Sequence, residues 1–173
     1  LKDIEIARRL GADGVVFGCL TADGEVDLTS MQILMEASKG LSVTFHRAFD
    51  VCRNPQKALE EIIELGCNRI LTSGQQPMAE QGIGLLKELQ GLAAGRITLL
   101  AGCGVNENNI ARIAAETGIN EFHFSARESI QSEMKFRNEV VSMGGTVHIN
   151  EYERNVTSVR RVKETVEALY KGM

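Results

Sequence analysis

The sequence predicts an α/β fold built on one parallel sheet, and two observations carry that expectation. Five short β-branched or aromatic runs recur about 25 to 30 residues apart, a spacing that fits successive βα units better than a sandwich, whose strands recur every ~8–12 residues. Each run is nearly continuous in apolar residues, as buried parallel strands are, and each ends in a small or polar group, where α/β folds meet their ligands.

The elements follow in order. Asp3–Leu10 reads as a helix with Ile6 and Leu10 four apart, ended by Gly11. A βα fold entered on a helix has lost the preceding strand or never had one. Gly14–Gly18 is the first run, and Asp27–Lys39 is the helix before the second, with Leu28, Met31, Ile33, Leu34 and Met35 as its buried side and Gly40 as its stop. Ser42–His46 is the second run. Asn54 then caps a helix with Pro55 at its first position, and Gly66 closes it. Arg69–Ser73 is the third run, followed by a helix over Glu80–Leu92 with Leu85, Leu86 and Leu89 on one side. Ile97–Gly102 is the fourth, after which Asn106 caps a helix through Ala115. Glu121–Ser125 is the fifth. Thr157 or Ser158 starts the last helix, where Val159, Val162, Val166 and Leu169 make an apolar stripe. No linker or low-complexity segment divides the chain, so residues 1–173 are expected to form one domain.

Composition narrows the partners. A net charge of −4 and 5% aromatic residues without tryptophan give neither a basic field for phosphate backbones nor a stacking platform for bases. Nucleic acid is therefore an unexpected partner. A membrane span needs ~18 apolar residues in a row, and no run approaches that. The four cysteines, Cys19, Cys52, Cys67 and Cys103, are widely spaced with no CxxC pair, which suits reduced thiols in the cytosol.

Strand parity assigns directions. With Val43 and Phe45 facing the helices, Thr44 and His46 face the other way; with Phe122 and Phe124 outward, Glu121, His123 and Ser125 point inward. Thr72 is expected on the same inner face. An inward histidine is often only a packing residue, but here Arg47, Asp50, Ser73 and Arg127 also lie at or near strand ends. His46, Arg47 and Asp50 place a titrating group, a fixed cation and a carboxylate within one short segment. Arg47 and Asp50 can brace the loop, bind a ligand, or do both.

Ala101–Asn106 is a glycine-rich turn leading to a helix N-terminus, and with Ser125 and Arg127 nearby it suggests an anion site formed by Gly102 and Gly104. Cys19 and Cys103 stand at strand ends on this side; Cys67 lies at the opposite end. Thiolates select Cu(I) or zinc, although metal clusters normally show closely spaced pairs.

Val43–Asp50, Ile70–Gly74, Ala101–Val105, Glu121–Ala126 and Met134–Asn138 together resemble the CutC family, known as copper homeostasis proteins. The likeness runs in order from Asp13 to Asn138. It implies a TIM-type (β/α)8 barrel of which this chain covers about the last five βα units. It also implies a cytoplasmic protein, often a homo-oligomer, that handles copper as Cu(I). The family's pocket carries over to His46, Arg47, Asp50, Thr72, Ser73, His123, Ser125 and Arg137. Two functions of different class follow. One is Cu(I) binding in copper homeostasis, with Cys19 and Cys103 as metal ligands. The other is a barrel enzyme on a small anionic or phosphorylated substrate. There His46 or His123 exchanges protons and Arg47 with the Gly102–Gly104 turn clamps the anion.

Overall fold

The computed structural model describes residues 1–171 apart from 139, 142, 145 and 148. Helix α1 (Lys2–Arg9) leads to β1 (Gly14–Phe17), α2 (Leu28–Ala37) and β2 (Ser42–Phe45). A 3-10 turn at Arg47–Val51 precedes α3 (Pro55–Glu64), β3 (Arg69–Thr72), α4 (Ile83–Ala93), β4 (Thr98–Gly102), α5 (Ile110–Thr117) and β5 (Glu121–His123). These five strands form one parallel sheet in the order β1-β2-β3-β4-β5, as the run spacing predicts. The chain thus carries five successive βα units of a TIM-barrel-type fold.

Beyond β5 the chain departs from expectation. Strands β6 (Arg127–Gln131) and β7 (Glu153–Thr157) pair antiparallel in a separate ribbon before α6 (Val159–Lys171). Their alternating, charged residues lack the continuous apolar character by which the five parallel strands are read.

Local chemistry sets the helix starts. The Asp27 carboxylate accepts from Ser30 N at 3.0 Å, and Asn54 Oδ1 accepts from Lys57 N at 3.0 Å with Pro55 next in the chain. Helix α5 starts later than predicted, at Ile110 instead of just after Asn106. Asn106 and Asn109 use their side chains on the loop instead: both Nδ2 groups donate to the Gly104 carbonyl at 2.9 Å, and Asn109 Oδ1 accepts from Asn106 N. Such local bonds compete with helix initiation.

The core lies between one face of the sheet and the helices. Val43, Phe45, Ile70, Leu99 and Ala101 are buried against Met31, Leu59, Ile62, Leu86, Leu89, Ile110 and Ile113. Each of these burials except that of Ala101 contributes about 1.5–3 kcal/mol. Several predicted apolar sides turn differently. Ile33 and Leu28 of α2 are exposed, as are Ile6 and Leu10 at α1, where Ile4 is the buried residue. In α6, Val159 and Val166 face outward and Thr165 is buried. Arg161 pairs with Glu107 at 3.0 Å, and that ion pair turns the Arg161–Thr165 side of α6 toward the start of α5.

Candidate functional site

Register shows which side chains share the inner face, away from the helices. Val16 pairs with Thr44 and Thr44 with Arg69. One step further along the strands, Leu71 pairs with Leu100 and Leu100 with Glu121; Gly102 pairs with His123. His46, one residue past Phe45, continues the ladder through its N–H to Phe17 O at 3.1 Å. Both His46 and His123 therefore project from the inner face, in keeping with strand parity. His46 Nδ1 accepts from Ala48 N at 3.2 Å, which leaves the proton of the neutral ring on Nε2.

Thr72 is a correction. Ile70 and Thr72 share parity, so burying Ile70 against the helices takes Thr72 to that face, where its register partner is the buried Ala101. Its hydroxyl is satisfied there by donating to Asp50 Oδ1 at 2.6 Å. Thr72 does not share a face with His46 and His123.

Arg69 enters the inner face unpredicted. Its Nε donates to Glu121 Oε2 at 2.6 Å across β4, and its Nη1 lies 3.2 Å from Ser42 Oγ. The signal was available in the sequence: Arg69 has the parity of Leu71, opposite to that of Ile70.

Arg47 opens the 3-10 turn and reaches over the ends of β3 and β4. Its Nε donates to Asp50 Oδ2 at 2.6 Å and its Nη2 to Ser73 Oγ at 2.9 Å, while the Cys103 thiol lies beside the same guanidinium. The Asp50 hydrogen bond holds this cation protonated even more firmly than an ordinary arginine. The loop brace anticipated from the sequence is present. The Arg47 side chain nonetheless remains 42% exposed, and among the described residues no oxygen accepts from its Nη1. The end-on edge of the guanidinium is thus open to an oxyanion.

Backbone strain gathers at the same end. Three of the four non-glycine residues with left-handed backbone among the described residues follow β3, β4 and β5, namely Gln75, Cys103 and Ala126 with φ of +55°, +78° and +46°; the fourth, Ala94 at +47°, ends α4 at the opposite end. Left-handed backbone costs an L-residue about 1–2 kcal/mol and collects at functional sites. Gly102 supplies room: a Cβ there would lie 2.6 Å from Leu71 Cδ1 and 3.3 Å from His123 Cβ. Gly104, also left-handed, lies against Met78. Ser125 is exposed just beyond β5.

Arg127 and Arg137 lie beyond β5. Arg127 begins β6, and Arg137 stacks 4.5 Å above the Tyr152 ring and donates to Gln131 Oε1 at 3.3 Å. Arg127 thus belongs to the antiparallel ribbon and Arg137 to the segment connecting its two strands, a ribbon the sequence did not reveal.

The thiols are dispersed. Cys19 and Cys103 follow β1 and β4, three strand steps apart, or about 14 Å along the sheet. Burial pushes the Cys19 thiol up, with Asp27 adding to the effect. Cys52 and Cys67 are buried, and loss of water raises each thiol to about 11. Among the described residues no group of three His, Cys, Asp or Glu side chains is placed to hold a metal. These donors do not fit a preformed Cu(I) centre.

Two clefts open away from the strand ends. One of about 560 Å³ lies where β2 and β3 begin, lined by Met35, Lys39, Val43 and Glu64 among others; one of about 380 Å³ lies along β1 and α1. None of the residues predicted for the site lines either. No helix among the described residues is long and apolar enough to cross a membrane.

A parallel βα array with imidazoles, a fixed guanidinium and strained loops at its C-terminal strand ends defines a TIM-barrel-type protein with a polar strand-end face. The chain belongs to the CutC family, whose sequence pattern matches residues 1–128. It is 77% identical over 169 residues to a family protein CutC of Bacteroides thetaiotaomicron, covering 98% of this chain and 68% of that protein. A family protein CutC of Chromobacterium violaceum is 47% identical over 170 residues, with 98% and 68% covered. The chain thus spans about two thirds of the length of these relatives. Among solved structures, a proposed copper homeostasis protein CutC from Streptococcus agalactiae matches with a TM-score of 0.67 at 34% identity, over 70% of this chain and 60% of that one. A structure described as native KDPGal matches with a TM-score of 0.57 at 14% identity, over 99% of this chain and 65% of that one, and bears on the fold alone.

Proposed function

We propose that, within this copper homeostasis family, the strand-end face binds a small carboxylate or phosphate ligand at Arg47. The observation that carries this reading is the guanidinium itself. It is fixed by Asp50 and Ser73, half-exposed, and open along its end-on edge. Ser125 and the Nε2 proton of His46 supply further donors, Gly102 and Gly104 keep the turn beside Cys103 open, and His46 and His123 offer imidazoles for proton transfer. Phosphate tests it. Free ligand at 100 times the dissociation constant adds about 2.7 kcal/mol of stability, read as a rise in Tm. Arg47→Ala is expected to abolish the rise. No rise in the parent protein, or an equal rise in the variant, refutes the reading.

A second reading is Cu(I) handling in the cytoplasm, with copper as cargo rather than a resident cofactor. The family's description and four unpaired thiols support it, and Cys19 and Cys103 are the two thiols not fully buried. Their separation means that each acts singly. Competition with a Cu(I) chelator should then be weakened by Cys19→Ser or Cys103→Ser and unchanged by Cys67→Ser; equal competition in all three refutes these ligands. A homo-oligomer belongs to the same reading, as the family resemblance implies.

A further inference from the structure

The Asp50 side chain is 6% exposed and meets donors from two loops. Oδ2 accepts from Arg47 Nε at 2.6 Å and lies 3.1 Å from Ser73 Oγ. Oδ1 accepts from Thr72 Oγ1 at 2.6 Å and Gln75 N at 3.2 Å, and Ser73 N lies 3.0 and 3.1 Å from the two oxygens. Two carboxylate oxygens offer about four lone-pair sites, so this group is saturated. A carboxylate with its acceptor sites filled is poorly placed to contact a ligand or to bind a metal.

We propose that Asp50 is a positioning residue, a latch that locks the turn after β3 to the Arg47 guanidinium and so presets the open edge of Arg47. The inference rests on the anion reading of Arg47. The turn wraps the carboxylate: Thr72 Oγ1 also accepts from Gly74 N at 2.9 Å, and Gly74 and Gln75 both hold left-handed backbone, at +69° and +55°. An unheld arginine loses rotamer freedom when it grips a ligand, whereas one already held by Asp50 has lost that freedom on folding. The sequence left Asp50 to brace the loop, bind a ligand or do both; its contacts assign it to the group behind Arg47.

The experiment compares phosphate affinity and the Arg47 Nε–H signal in ¹H–¹⁵N spectra for the parent protein, Asp50→Asn, Thr72→Val and Arg47→Ala, well below each melting temperature. Asp50→Asn is expected to lose the protected Nε–H signal and to weaken phosphate binding about tenfold, the effect of leaving one long side chain unordered. A purely structural Asp50 would lower Tm and leave the affinity of the folded protein unchanged, which overturns the proposal. If Asp50→Asn does not fold, Thr72→Val removes one donor and keeps the charge. It should weaken binding by a smaller factor, and parent-like affinity there overturns the proposal. Phosphate binding that survives Arg47→Ala refutes the anion reading instead. In that case the Nε–H signal alone decides whether Asp50 orders Arg47, and its persistence in Asp50→Asn overturns the latch.

Discussion

Gly18 and His46 are neighbours at the ends of β1 and β2, and a Cβ at Gly18 would lie 2.9 Å from the imidazole Nδ1 and from the Phe45 ring. The imidazole is held between Ala48 N and the edge-on Phe45 ring, whose plane stands at 75° to its own. Gly18→Ala is therefore expected to displace His46 and destabilise the protein by about 1–3 kcal/mol, the usual range for overpacking. Urea unfolding measures the loss and the His46 ring signals report the displacement. Unchanged signals and stability would show that the ring has room to spare.

Arg69 and Glu121 are each about a third exposed, at 36% and 38%, so water screens their ion pair. A double-mutant cycle with Arg69→Ala and Glu121→Ala is expected to give a coupling of roughly 0.5–1 kcal/mol. Zero coupling in urea melts would mean that the pair does not persist in solution.

Burial raises the Cys52 and Cys67 thiols from 9.0 to about 11. Above pH 9 the unfolded chain gives up these protons while the folded protein keeps them, so the unfolded state gains and stability falls as pH rises toward 11. Below pH 9 these groups contribute no slope. Cys67→Ala should flatten the decline, as read from urea midpoints across that window. An unchanged slope would show that Cys67 ionises freely in the folded state.

Much of the fold was legible because burial on a parallel sheet writes itself as short apolar runs at regular spacing. The parity of Val43 and Phe45 sufficed to place His46 on the inner face, and that of Phe122 placed His123. Thr72 escaped because its hydroxyl suggested a ligand face, while the parity of Ile70 already assigned it to the core. The ribbon of β6 and β7 escaped because its alternating charged residues make no continuous apolar run. The Asp50 contacts are long-range, set by how the turn after β3 folds back on the segment after β2, and no local pattern encodes them.

Gln75, Cys103 and Ala126 have a consequence for how this protein can evolve. Glycine would relieve about 1–2 kcal/mol of left-handed strain at each position and give back about 0.5–1 kcal/mol through the freer unfolded chain. The two effects leave glycine only slightly ahead. Selection can therefore keep a side chain at all three strand ends at little expense in folding. The rim is for that reason a place where new side-chain chemistry can be tried while the scaffold beneath it stays unchanged.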